Sequence, residues 1–393
     1  MFDFDVSEIN DNVRTIIHIT ADWPDNYNSR KTKAVSNLID FNSDINNVVY
    51  SINRIDGVSG VEIIDRSQKV TCLTYKALPY GFNFLRPLRQ VANWIYSDIK
   101  DRNLSPGCVH AHKLTIEGII GLHISQKLDC PLICSIWGNT DQKIIKYRPD
   151  LHRQHQNIID SSTRLLPATP WIRQYIKDKF IVDNTKFELI PIVTNLNGVI
   201  QPVEINNKFV SIFNLNEYKN KNFMRLLKAF KRLSKRGIDY DLDVYGNGND
   251  ATVKILKTSI KKHGLENRIN ICGYIPHDKI CSTLSNYKGF ILPSIRETFG
   301  MVFIESLYAG IPVIYPRGQS IDGFFPSSKI GYACDPKSVS DIVDGIQWLS
   351  SNELKLKEYI RLMNHSNEIS RLFNADLIRA KYKNICESVC QVS

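Results

Sequence analysis

Residues 289–315 read GFILPSIRETFGMVFIESLYAGIPVIY and constrain the fold more tightly than any other stretch. Phe290, Ile291 and Leu292 form an apolar run of strand character. Phe299-Gly300 is a tight step into an apolar helical run, and Pro312 to Tyr315 read as the next strand. A strand, a helix and a second strand in so few residues are the unit that joins neighbouring parallel strands, because parallel pairing needs a crossover. Two carboxylates, Glu297 and Glu305, stand eight positions apart within it. In a parallel sheet, the loop holding Glu297 lies at the carboxyl edge of the strands, where ligands bind. The helix start at Gly300 offers unpaired backbone N–H groups and the positive end of the helix dipole, which suit phosphate. Carboxylates flanking an anion site suit phosphate joined to a polyol, since they accept hydrogen bonds from hydroxyls. Isolated glutamates are ordinarily solvated. Glu305, however, sits in MVFIESLYAG, where a charge needs a partner or a ligand.

The same alternation runs through most of the chain. Strand character is read at Val13–Ile19, Asn47–Ile52, Lys69–Thr74, Cys108–His110, Pro131–Ile136, Leu165-Leu166 and Phe187–Ile190. It restarts at Phe209–Phe213 and continues at Leu242–Tyr245, Arg268–Cys272 and Gly289–Leu292. Helical periodicity is read near Lys31–Asp40 and over Phe84–Ile99, Leu114–Lys127, Phe223–Lys235, Ala251–Lys262, His277–Ser285 and the stretch from Asn352. This pattern predicts an α/β protein with parallel sheets covered on both faces by helices. A length of 393 residues implies two domains. The polar, aperiodic segment Asn197–Lys208 is the expected boundary.

Composition narrows the class. No run of about 18 apolar residues is present, so no membrane-spanning helix is expected. The first residues, MFDFDVSEINDNVR, are acidic and polar and lack the pattern of a secretory signal. The nine cysteines follow no zinc spacing and mostly lie in apolar runs, which predicts small core residues in a reducing compartment. A net charge of +10 points to anionic partners: nucleotide, phospholipid surface or nucleic acid. No basic aromatic stripe or nucleic-acid module is present, so nucleic acid is not expected.

Several segments, in order, are similar to the retaining glycosyltransferases of family 4. Glu297 and Glu305 match the E-x7-E element. CVHAHKLTIEG (108–118) resembles the family's HAH strand end, and PLICSIWGNTD (131–141) its PLVVTLHGSD segment. LIPIVTNLNGV (189–199) resembles the VIPNGVD hinge, LDVYGNGND (242–250) the L-x-I-V-G-x-G strand end, and GIPVIYPRGQSIDG (310–323) the donor segment. The match spans roughly residues 13–345.

The resemblance implies the GT-B architecture, two Rossmann-like domains with parallel sheets facing across a central cleft. Residues 1–200 would bind the acceptor, 201–375 would bind a nucleotide-sugar, and 376–393 would form a C-terminal helix that packs back on the first domain. It implies transfer of a hexose-type sugar to a saccharide or lipid-linked saccharide, in cell-surface polysaccharide synthesis. No cofactor or metal is expected.

Residue roles follow from the resemblance. Glu297 would contact sugar hydroxyls, Glu305 the ribose, and Phe299, Gly300, Met301 and Val302 would offer backbone N–H groups to sugar and phosphate. His112 would contact the donor sugar and contribute to catalysis, while His110 would point into the sheet. Gly246 would let backbone approach the nucleotide, and Tyr274 and Ile275 would flank the base. The family pattern G-R-L-x-x-x-K places Arg and Lys on the diphosphate. This chain reads FNLNEYKNKNF over 213–223, so Lys219 or Lys221 supplies the lysine, and Asn214 or Asn216 stands where the arginine would be. Trp137 replaces a common histidine and suits either stacking on a sugar or core filling.

The stretch FNFLRPLRQVANWIY (82–96), with Arg86 and Arg89 among aromatics, reads as a core helix with a basic outer face or as a dock for an anionic membrane. A cytoplasmic enzyme at the inner membrane face is the expected setting. The other readings of the same features are a nucleotide-sugar epimerase or hydrolase, a nucleic-acid glucosyltransferase, and a binding subunit without catalysis.

Overall fold

The computed structural model describes residues 15–29, 31–39, 45–194 and 206–391. The expected signal-free N-terminus, most of the expected boundary segment and the end of the VIPNGVD-like segment lie outside them. The chain divides into two units. Unit 1 takes Met1–Ala168, Ile176–Val193 and Ile378–Ser393, and unit 2 takes Thr169–Tyr175 and Thr194–Leu377.

Unit 1 is built on seven strands: β1 (Thr15–Thr20), β2 (Asn46–Asp56), β3 (Val61–Arg66), β4 (Val70–Ala77), β5 (Pro106–Ala111), β6 (Leu132–Ile136) and β7 (Ser162–Pro167). Their order is β3-β4-β2-β1-β5-β6-β7, all parallel except β3, which runs antiparallel to β4. β1 is buried along its whole length, as a central strand covered on both faces must be. The chain moves outward from β1 through β2, then returns to lay β5 on the other side of β1. That reversal makes the crevice beyond the carboxyl ends of β1 and β5 the ligand position of this sheet.

Unit 2 carries β8 (Asn206–Ile212), β9 (Asp241–Tyr245), β10 (Ile269–Gly273), β11 (Tyr287–Ile291), β12 (Val313–Pro316) and β13 (Gly331–Cys334). Their order is β10-β9-β8-β11-β12-β13, all parallel. The reversal here falls between β8 and β11, so the loops after those two strands bound the ligand position. The helix Phe223–Lys235 shows how sequence builds the layer above. Phe223, Leu226, Leu227, Phe230 and Leu233 recur every three or four positions and are buried, with lysines and arginines outside. It stops at Gly237, whose φ of 73° places it in the left-handed region, and Ile238 N–H bonds back to the Leu233 carbonyl at 3.0 Å.

Three local readings differ from the structure. Phe187–Ile190 forms a single bridge, Phe187 to Leu165, because Pro167 of β7 has no N–H to return the next bond, although the Ile190 N–H still reaches the Pro167 carbonyl at 3.1 Å. His277–Ser285 divides into a 3-10 turn, His277–Lys279, and the helix Ile280–Leu284. β3 escapes sequence reading because Ile63 and Ile64 are both exposed on an edge strand, which erases the in–out alternation.

Candidate functional site

In unit 2, the loops after β8 and β11 are stitched together. The Ile295 N–H donates to the Asn220 carbonyl at 2.7 Å, and Asn220 Nδ2 donates to the Arg296 carbonyl at 3.1 Å. Asn222, left-handed at φ 63°, donates from Nδ2 to the Pro293 and Pro336 carbonyls at 2.9 and 2.6 Å. Held this way, Lys221 Nζ lies 2.7 Å from Glu297 Oε2, and the two side chains are only 16% and 12% exposed. Ser294 Oγ donates to the same oxygen at 3.1 Å. The Glu297 N–H donates to Gln319 Oε1 at 2.8 Å, while Gln319 Nε2 donates to the Ile295 carbonyl. The two candidate lysines therefore separate: Lys219 is exposed, its Nζ 5.9 Å from the Tyr218 ring, and Lys221 meets the carboxylate. Asn214 and Asn216 shape the turn. Asn214 Oδ1 accepts the Asn216 N–H, and Asn216 Oδ1 accepts the Asn249 N–H, both at 3.1 Å.

Gly300 begins the helix Met301–Tyr308 at φ 73°, and a β-carbon there would lie 2.6 Å from the Phe303 ring. Met301 and Val302 are half-buried in its first turn, while the Phe299 side chain is buried against Phe324 and Phe373. Glu305, in the second turn of that helix, is 3% exposed, and burial pushes its carboxyl up to about 7. Its Oε1 lies 3.3 Å from Nε2 of the exposed His277, which follows β10. Tyr274 is 64% exposed after the same strand, and Ile275 is buried. Gly246 has a reason of its own: a β-carbon there would sit 1.8 Å from the Phe213 carbonyl oxygen.

In unit 1, the ends of β1 and β5 hold a buried polar cluster. His110 is fully buried between Tyr382 Oη, 2.7 Å from Nδ1, and Ser135 Oγ, 2.8 Å from Nε2. His112 is 1% exposed, its Nε2 lies 3.1 Å from His18 Nδ1, and its ring centre is 6.4 Å from that of Trp137. Burial, then the neighbouring His110, holds the His112 imidazole well below the ordinary range. Trp137 packs against the cluster of Trp23, Val35, Ile39 and Val49. Lys113 Nζ sits 2.6 Å from Asp22 and 3.4 Å from Glu117, and these carboxylates outweigh burial and hold its ammonium above the usual range. Asp141 is buried, accepts from Thr115 and the Trp137 N–H, and is pushed by burial up to about 6.

Sequence reading missed His18, Asn47, Ser294 and His277 and placed Gln319 only within the donor segment 310–323. A polar residue inside a buried run, His18 in TIIHIT and Asn47 in NNVVY, was the local signal among them, since a buried polar side chain needs a partner. The helix Leu85–Asp101 buries Leu88, Val91, Ala92, Ile95 and Ile99 and leaves Arg86 and Arg89 exposed. All nine cysteines are free thiols, six of them buried. No helix among the described residues is long and apolar enough to cross a membrane.

Residues 199–363 match the family described as glycosyl transferases group 1. The 2-deoxystreptamine N-acetyl-D-glucosaminyltransferase of Niallia circulans is 27% identical over 168 residues, which are 43% of this chain and 42% of that protein. The chain thus spans under half the length of the first curated relatives it matches. Among solved structures, the lipopolysaccharide outer core galactosyltransferase WaaB in its apo form aligns with a TM-score of 0.68 at 17% identity, covering 95% of this chain and 99% of that one. The structure of Anabaena Alr3699/HepE in complex with UDP and glucose aligns with a TM-score of 0.64 at 14% identity, covering 95% and 100%. The structural likenesses show the fold, a GT-B architecture of two Rossmann-like units.

Proposed function

We propose that this chain is a retaining glycosyltransferase that moves a hexose-type sugar from a nucleotide-sugar to a saccharide acceptor. The observation that carries the reading is the Lys221–Glu297–Ser294 constellation at the strand-order reversal of unit 2, with the buried Glu305 eight residues on. A glycosyl transferases group 1 match over the same residues supports it.

The chemistry follows from charge. As the glycosidic bond breaks, negative charge grows on the departing diphosphate. Lys221 supplies positive charge that is already oriented, and the backbone at Gly300–Val302 supplies N–H groups. Glu297 accepts hydrogen bonds from sugar hydroxyls, Glu305 from the ribose. The departing phosphate takes the proton of the acceptor hydroxyl on the same face, so configuration is kept and no glutamyl intermediate forms. Unit 1 is assigned the acceptor, with His112 as a hydroxyl contact on the reacting saccharide. The net charge of +10 and the exposed Arg86 and Arg89 favour a lipid-linked acceptor on an anionic surface, in cell-surface polysaccharide synthesis.

The test is nucleoside diphosphate release from a panel of nucleotide-sugars with a lipid-extract acceptor. Glu297→Ala should lower release at least about 100-fold. Unchanged release would overturn the site. Release without acceptor would identify a hydrolase, and nucleotide-dependent thermal stabilisation without release a binding protein.

A further inference from the structure

Three histidines, His18, His110 and His112, bring ring nitrogens within 4.8 Å of one another in the core of unit 1. Five of their six nitrogens already have hydrogen-bond partners, so the cluster is a network and not an open cation site. The sixth, His112 Nδ1, is buried with no partner. Buried polar atoms without partners are uncommon in folded proteins, and this one calls for a reason.

The proton positions follow from one end of the network. Asn47 Nδ2 donates to the Ile45 carbonyl at 3.2 Å, which turns Asn47 Oδ1 toward His18 Nε2 at 2.8 Å. That oxygen only accepts, so His18 Nε2 carries a hydrogen. His18 is fully buried, which holds it neutral with a pKa of about 4, so its Nδ1 is a bare lone pair. His112 Nε2, 3.1 Å away, must then donate. His112 is neutral for the same reason of burial, so its Nδ1 has no hydrogen.

We infer that Asn47 and His18 form a relay that locks His112 in the Nε2–H tautomer and presents Nδ1 as a hydrogen-bond acceptor for a ligand hydroxyl. The strand arrangement builds it. His18 lies beside His110 in the parallel register of β1 and β5, and Asn47 comes from β2 on the other side of β1. His112 follows β5 directly, at the strand-order reversal, with its N–H on the Ile19 carbonyl at 3.0 Å. His18 and Asn47 are positioning residues, and His112 is the group they aim. The class of ligand, a saccharide hydroxyl, rests on the proposed sugar transfer, whereas the tautomer does not.

The test uses the full chain with 15N-labelled histidine and long-range 1H–15N correlation, which reads each imidazole tautomer without any activity. The wild type should show His112 protonated on Nε2 alone. His18→Leu removes the acceptor and should give a mixed tautomer, with kcat about tenfold lower. His18→Gln keeps an acceptor for His112 and a donor for Asn47, so it should restore the single tautomer and most of the turnover. Asn47→Leu provides a second route to the mixed state if His18→Leu does not fold. A proton on His112 Nδ1 in the wild type would overturn the relay. So would a tautomer that survives both leucine variants, or a His18→Gln loss as large as that of His18→Leu. A locked tautomer in a wild type that releases no nucleoside diphosphate would support the relay and count against sugar transfer alone.

Discussion

Replacing Glu305 with Gln should stabilise the fold and weaken nucleotide binding at the same time. Glu305 is 3% exposed, and burial raises its carboxyl from 4.5 to about 7. Between those values the folded chain holds a proton that the unfolded chain has lost. Stability is therefore full below about pH 4.5, falls as pH rises, and levels off above about pH 7. Each unit of displacement is worth about 1.4 kcal/mol, so ionising Glu305 costs the fold roughly 3 kcal/mol at pH 8. His277, 3.3 Å away, returns little of this because its side chain is 65% exposed and water screens the pair. Gln keeps the shape and removes the ionisation. In urea unfolding the variant should gain roughly 2–3 kcal/mol at pH 8 and under about 1 kcal/mol at pH 5. The ribose contact loses a charge-assisted acceptor, so calorimetry at pH 8 should show nucleoside diphosphate bound about 10–100-fold more weakly. A gain that is the same at both pH values would refute the proton linkage. Unchanged nucleotide affinity would remove Glu305 from the ribose site.

Lys221→Met leaves the Glu297 carboxylate with Ser294 as its remaining side-chain partner and should lower nucleoside diphosphate release about 100-fold, against a change within about threefold for Lys219→Met. Equal losses would mean that both lysines reach phosphate. Gly246→Ala would put a β-carbon 1.8 Å from the Phe213 carbonyl oxygen, so its urea midpoint should drop by the equivalent of about 2–4 kcal/mol. A normal midpoint would show that the turn yields. With a net charge of +10, the protein should sediment with anionic vesicles at low salt and be released near 0.5 M salt, an estimate from the shortening Debye length; Arg86→Glu with Arg89→Glu should weaken binding further. Absence of salt-sensitive binding would remove the membrane surface as a partner.

What the sequence made legible was local. The helix Phe223–Lys235 was readable to the residue because its apolar stripe has one period and Gly237 ends it. Glu305 was readable as a buried charge because its neighbours in MVFIESLYAG are apolar. Lys219 and Lys221 could not be told apart, since both lie in a turn whose shape is set from outside by bonds to Pro293, Ile295 and Arg296. His18 and Asn47 were harder still. They lie 94 and 65 positions from His112, and the path from Asn47 through His18 to His112 closes only because β1 is inserted between β2 and β5.

That insertion is also what reverses the strand order and opens the crevice beside it. The topology that places the ligand position of unit 1 thus also assembles the relay beneath it. A lone histidine in TIIHIT and an asparagine in NNVVY were each a polar residue in an otherwise buried strand. Neither could stay there unsatisfied, because burying a polar group without a hydrogen bond costs about 1–3 kcal/mol. Polar residues inside central strands, read together with the strand order, therefore point to partners across the sheet, here Asn47 to His18 and His18 to the histidine that ends the neighbouring strand. In a parallel sheet the reversal point brings three strand ends side by side, so residues far apart in sequence can act as one group there. Motif spacing, which is local by construction, registers Glu297 and Glu305 and passes over Asn47, His18 and His112 as a unit.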